Sequence, residues 1–221
     1  MFVDAVYLYC EVYATVRYNT NITTLKPSDI STITAATVSK YNTDNLDGFK
    51  KTIRSSKLAE LINNQHPSVI SCDLSVSPFK TFIPTSGVVY KQIFDFGFRL
   101  AKEYTISYDD LVKSTIPAIR STTLIKDGKN CYIKDDGNGV LGLYTVEAQN
   151  GEIKLNDVGT VDYNNGKATI NNLVIDSFIP ASGPHAHLYA VSIEKDISST
   201  KNQILVIRDS DIELDIISLQ V

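Results

Sequence analysis

Two histidines two residues apart, His185 and His187, are the first candidates for chemistry in this chain. Residues i and i+2 of a strand point to one face, so both rings could be offered to one metal ion. A closed zinc site needs further ligands. The remaining histidine, His66, lies far off in sequence, and the pair is expected to be structural. Asp135-Asp136-Gly137-Asn138-Gly139 has the composition of a cation loop. A calcium loop of the helix-loop-helix type carries a bidentate glutamate at a fixed later position. That spacing is absent and the flanking segments read as strands, so a tight turn is expected. Asp95-Phe96-Gly97 spells the kinase metal-binding triplet, but no glycine-rich loop, strand lysine or catalytic loop accompanies it.

Nucleophiles fare no better. Cys10, Cys72 and Cys131 are odd in number and widely spaced, which suggests neither a disulfide framework nor a zinc knuckle. Cys10 and Cys72 sit in strand-like apolar runs, where a thiol acts as a small hydrophobe; a reducing compartment fits them. No Gly-x-Ser-x-Gly, His-Glu-x-x-His or phosphate-cradling loop occurs. Asp109/Asp110 and Asp209/Asp211 fall in polar linkers. The sequence therefore assigns no catalytic, cofactor-binding or metal-ligating residue and points to no small-molecule substrate.

The elements that would carry a surface are clearer. Ala5 to Arg17 reads as a long strand: Val6, Leu8, Cys10, Val12, Ala14 and Val16 form one apolar face, the core face. Tyr7, Tyr9 and Tyr13 share the other face with Glu11, Thr15 and Arg17. Tyrosine combines contact area with a polar tip, so Tyr7, Tyr9 and Tyr13 are the candidate interface residues. Pro27 suits a helix's first turn, and Ile30, Ile33 and Val38 continue one stripe. The polar run Asn42 to Gly48 predicts a turn that ends this helix. Phe49 and Ile53 are the next apolar anchors. A second helix is predicted over Ser56 to Asn63, capped by Ser55 or Ser56, with Leu58, Leu61 and Ile62 on its buried face. Pro67 stops it, and Val69 to Phe82 and Val88 to Arg99 follow as strands. Leu61, Ile70 and Leu74 complete the predicted core.

After a connector from Ala101 to Pro117 the pattern becomes short strands. Asp127-Gly128, Asn150-Gly151 and Asn165-Gly166 sit between them, and such pairs accept the positive φ that tight hairpins require. The expected fold class is α+β: an N-terminal two-helix α+β domain over residues 1–100 (strand-helix-helix-strand-strand), then a mostly antiparallel, β-rich domain over 101–221.

With 221 residues and 43% hydrophobic composition, a sizeable core can form. The formal charge of −4 argues against nucleic-acid binding; the basic cluster Lys50, Lys51, Arg54 and Lys57 reads as a solvated face. No apolar run approaches the roughly 20 residues needed to span a bilayer, and no signal peptide is visible. The abrupt start in a strand suggests a piece of a longer protein.

Four segments taken in order resemble the C-terminal region of the baseplate wedge protein of T-even-like contractile-tailed phages. They are YNTDNLDGFKKTIRSSKLAELINNQHPSVISCDLSVSPFK, CYIKDDGNGVLGLY, VGTVDYNNGKATINNLVI and DISSTKNQILVIRDSDIELDI. The first departs from the family where Ser55 follows Arg54, a position that the family fills with an aromatic. The resemblance implies a structural virion protein without catalysis. It implies homodimerisation through this region, contacts with other baseplate wedge proteins, and a place in the virion tail baseplate after assembly in the host cytoplasm. The alternative from another class is a carbohydrate- or receptor-binding β-module of a phage tail or adhesin, which would cluster aromatics on loops.

Overall fold

The computed structural model describes residues 5–102, 104–108, 112–147, 151–180, 184–200 and 202–220. In chain order the elements begin with β1 (Val6–Asn19), α1 (Pro27–Leu46), β2 (Thr52–Ile53), α2 (Ser55–Asn63), β3 (Val69–Phe82) and β4 (Tyr90–Asp95). They continue with β5 (Tyr104–Tyr108), β6 (Val112–Ile116), β7 (Ile119–Ser121), β8 (Leu124–Lys126), β9 (Lys129–Asp135) and β10 (Val140–Glu147). The last are β11 (Gly151–Asp162), β12 (Lys167–Leu173), β13 (Ser177–Phe178), β14 (Ala186–Ala190), β15 (Ile197–Ser198), β16 (Gln203–Val206) and β17 (Ile212–Leu219).

Internal contacts divide the chain into two units. One joins Met1–Pro78 with Lys195–Val221, and the other is Phe79–Glu194. The predicted boundary near residue 100 therefore differs from the division the contacts make. The reason is long-range pairing. β1 runs parallel to β16 over Val6–Tyr9 and to β17 over Val12–Asn19. The last strands thus belong with the first rather than with the β-rich segment before them, a parallel pairing that no local turn signal announces.

In the first unit β1 lies between β16/β17 on one side and β3 on the other. Its predicted core face is buried from Leu8 through Cys10, Val12, Ala14 and Val16 to Tyr18. α1 packs against β17, β16 and α2. It buries Ile30, Thr34, Val38, Tyr41 and Leu46, a spacing of three to five residues that keeps one helix face inward. Buried Thr34 satisfies its hydroxyl by donating to Ile30 O at 2.8 Å. α2 adds Leu58 and Ile62, one turn apart.

The second unit is an antiparallel sheet. The end of β3, Phe79–Phe82, pairs β14, which pairs β7. The order β7-β9-β10-β11-β12-β4 follows. Its core is Phe79, Phe94, Phe96, Ile119, Leu124, Ile133, Leu141, Leu143 and Leu188, all inaccessible to solvent. The β8–β9 hairpin turns at Asp127 and Gly128, with φ of 51° and 70°. These are the paired positive values that an Asp-Gly turn supplies. Between Ala118 and Val221 the only helical segment among the described residues is the single 3₁₀ turn Asp209–Asp211.

Several expectations are corrected. α1 runs through the predicted turn to Leu46. Thr43 Oγ1 donates to Ser39 O and Asn45 Nδ2 to Tyr41 O, so turn-forming side chains here bond their own helix. No side chain caps α2, whose N-cap is Arg54; neither Ser55 nor Ser56 takes that place. Ala101 to Pro117 contains the hairpin β5–β6. β11 runs unbroken from Gly151 to Asp162 and absorbs its polar residues through register shifts against β10. Phe49, Leu61, Val6 and Ile70 are exposed. Leu61 sits on the rim of a short helix whose inward contact is limited to Leu58 and Ile62. Val6 and Ile70 are the first and second residues of their strands, where neighbours are fewest.

Candidate functional site

Helices cover one face of the first unit's sheet, and the tyrosine face of β1 is turned away from that core. Tyr7 is 50% exposed and Tyr13 43%. Tyr9, between them, is half-buried beneath the Arg208 guanidinium, whose central carbon lies 4.4 Å from the ring centroid, within cation–π range. The Tyr7 and Tyr9 rings are 6.4 Å apart and nearly parallel, at 24°. Further along, Arg17 donates to Asp73 Oδ2 at 2.5 Å. Tyr13 is beside Glu213, and Thr15 beside Asp215, on β17. The result is a band in which aromatic and charged groups alternate, unlike the continuous apolar opposite face.

The edge of this sheet breaks between β16 and β17, and the break is built with care. Asp209–Asp211 forms the 3₁₀ turn. Asp211 is only 3% exposed and accepts from Arg208 Nε at 2.5 Å and Nη2 at 2.9 Å, a forked pair that suits a guanidinium. Ser39 donates to Asp209 Oδ1 at 2.5 Å, and Ile207 N donates to Asn42 Oδ1 at 2.8 Å. Asn42, which the sequence places in a turn, and Ser39 thus hold the strand break from α1. A notch of about 340 Å³ beside it is lined by Tyr7, Asn42, Leu46, Ile204, Leu205 and Val206.

The candidates for metal or acid–base chemistry resolve as structure. His187 is buried, stacked on Phe79 with centroids 4.0 Å apart, and its Nδ1 is 3.2 Å from Tyr189 Oη. His66 Nδ1 pairs with Ser68 Oγ at 2.7 Å. No group of three or more histidine, cysteine or acidic side chains suited to a metal occurs among the described residues. The acidic-glycine segment is the β9–β10 turn. Asp135 accepts from Ile119 N at 2.8 Å, Tyr163 Oη at 2.7 Å and Gly137 N at 3.2 Å. Asp136 accepts from Asn138 N at 2.8 Å and Val140 N at 3.0 Å. Burial raises the Asp136 pKa, but these two amides pull it below the usual carboxylate value. Backbone amides and a phenol therefore occupy the oxygens that a cation would need.

Asp95 accepts from Gly97 N at 3.0 Å and Phe96 is buried, so the kinase-like triplet is a turn with a core anchor. The three cysteines are free. Burial raises all three thiols, and Cys72 is pushed up to about 11, the opposite of an activated nucleophile. In the basic cluster, Lys57 donates to Asn45 Oδ1 at 2.9 Å, and Lys50 and Arg54 face solvent.

One feature of the second unit left no motif in the sequence. A cleft of about 510 Å³ is lined by residues from 99–102, the β9–β10 turn, the end of β11 and Ile193. Its members lie far apart along the chain, so no spacing could have revealed it.

Residues 6–80 match the family model described as baseplate structural protein gp6, C-terminal domain III. The match begins at the first residue of β1 and ends within β3, so it covers the two helices, β2 and the strands that flank them. It stops short of the three later segments on which the resemblance also rested. No curated protein matches the chain. Residues 6–80 are therefore similar to a domain of a phage baseplate protein, and this similarity supports a structural baseplate role for the chain.

Proposed function

We propose that this chain is a structural subunit of a contractile-tail baseplate wedge and acts by self-association and by contact with neighbouring wedge subunits. The observation that carries the reading is the family match over 6–80, which coincides with the sheet bearing the exposed Tyr7 and Tyr13. A two-fold dimer would use one patch on both copies. The tyrosine band and the adjoining edge strands β16 and β17 offer ring area and a sheet margin of the kind that interfaces use. A specific contact of this type buries at least about 1,000 Å² in total. The reading includes no enzymatic step, since the candidate nucleophiles have raised pKa values and the acids are engaged by backbone amides. Light scattering on the purified chain across the micromolar range tests it. A concentration-dependent rise to twice the monomer mass is expected. A chain that stays monomeric, and that fails to join a baseplate reconstituted from the other wedge subunits, overturns it.

A further inference from the structure

The cleft of the second unit gathers cationic and amide donors. Arg99 and Lys102 supply its cations, Asn138 and Asn164 its amides, and Leu100, Val161 and Ile193 its apolar lining. Its one carboxylate, Asp162, is engaged elsewhere: Asn165 N reaches Oδ1 at 3.0 Å and Asn165 Nδ2 reaches Oδ2 at 2.7 Å. The phenol of Tyr163 is also committed, donating to Asp135 at 2.7 Å and accepting from Gly139 N at 3.3 Å. That fixes the ring as a rigid wall, with the Lys102 ammonium 5.7 Å from its centroid. Arg99 forms no ion pair with any described residue. The backbone around it is pinned: Leu100 N donates to Tyr163 O at 2.8 Å and Ile193 N to Arg99 O at 3.0 Å. The chain as a whole carries a charge of −4, so two cations facing one cavity with no ion-pair partner among the described residues run against its general balance.

We propose that this cleft is a docking site for an acidic peptide segment of a partner protein, in which a glutamate lays its methylene stem on Leu100, Val161 and Ile193 and its carboxylate between Arg99 and Lys102. A guanidinium fork and an ammonium both favour a carboxylate. An apolar floor favours one carried on a hydrocarbon stem over a bare anion. A volume of about 510 Å³ holds a side chain or two, and falls within the usual range for ligand clefts. The identity of the partner as an assembly neighbour rests on the baseplate reading above; the chemistry of the site does not. The cleft lies outside residues 6–80, so the family match says nothing about it.

The test uses the full chain and a fluorescein-labelled peptide Glu-Leu-Glu-Leu-Glu, followed by anisotropy. A Gln-Leu-Gln-Leu-Gln peptide and inorganic phosphate serve as the comparison probes. The acidic peptide is expected to bind at least about ten-fold more tightly than the glutamine peptide and to weaken as salt rises. Arg99→Glu with Lys102→Glu should remove binding without moving the melting temperature, because both side chains are exposed. Binding that survives the double substitution, or equal binding of the two peptides, overturns the proposal. So does displacement by equimolar phosphate, which would mark a small-anion site, or a loss of self-association in the double variant, which would make the occupant a second copy. If peptide binding fails while the chain still joins baseplates, only the cleft assignment falls. If the peptide binds but the chain does not join, only the assembly reading falls.

Discussion

The Arg208 guanidinium serves two partners at once: it lies 4.4 Å from the centroid of the Tyr9 ring and forks onto Asp211, which is 3% exposed. One side chain therefore ties the surface tyrosine band to the buried strand break. Arg208→Ala leaves a buried carboxylate without its cation, which costs about 3–5 kcal/mol. Arg208→Lys keeps the charge but loses the fork and should fall between the two. Chemical denaturation of the three proteins checks the order; a shift under about 1 kcal/mol for the alanine variant would show the pair to be dispensable.

Tyr13→Asn should weaken self-association and cost the monomer little, since the ring is 43% exposed and the amide adds no charge beside Glu213. Tyr9→Asp should do both kinds of damage, because it removes the surface beneath Arg208. The pair is read by sedimentation for assembly and by thermal melting for stability. Equal self-association of wild type and Tyr13→Asn places the contact elsewhere.

Leu58→Ala and Leu61→Ala differ only in which side of α2 they touch. Leu58 is inaccessible and Leu61 is 39% exposed. The first should cost about 2–5 kcal/mol through lost transfer energy and a cavity. The second should cost under about 1 kcal/mol. Denaturant midpoints decide, and similar values for the two would contradict the burial of α2.

Glu152 gives a signed pH dependence. Burial pushes its pKa up, but the Lys134 ammonium and the Tyr132 hydroxyl pull it below its ordinary 4.5. A folded pKa below the unfolded one means the native state holds fewer protons, so this group stabilises fully above pH 4.5 and loses its contribution as pH falls towards the depressed value. Glu152→Gln should therefore lower the melting temperature at neutral pH and converge with wild type in acid. A constant difference across the titration would assign the effect to packing.

The thiols offer a check on compactness. Cys10 and Cys131 are buried and Cys72 half-buried, with burial raising each pKa. An aromatic disulfide reagent at pH 8 should label none rapidly in the native state, Cys72 first on long exposure, and all three in denaturant. Immediate labelling of Cys10 would show that β1 opens.

How much of this was legible in advance follows from what each signal reports. Strict alternation in β1 reports a half-buried strand, and its apolar parity is the buried one from Leu8 to Val16. The bounds of β3, Val69–Phe82, follow from Pro67 on one side and Pro84 on the other. Asp127-Gly128 reports a hairpin because the backbone there needs positive φ. The end of α1 was hidden because Thr43 and Asn45 can bond a helix carbonyl as readily as a turn. The partners of β1 were hidden because parallel pairing leaves no connecting turn to read. Tyr7, Tyr9 and Tyr13 could be placed on one face, but the Arg208 clamp on Tyr9 comes from the far end of the chain. The cleft with Arg99 and Lys102 is assembled from four separate segments and had no sequence signal at all.

Val12 sits beside Ile212, and that fixes an order of events on the ribosome. The first strand emerges early but cannot complete its sheet until β17, Ile212–Leu219, has been made. The contiguous segment Phe79–Glu194 can close on itself beforehand, as domains commonly do during synthesis. Until β16 and β17 arrive, one margin of β1 is a bare template for foreign strands. A nascent chain stalled before Ile212 should therefore need chaperone cover that a chain carrying β17 does not, and β16 and β17 act as the lock on that margin of β1.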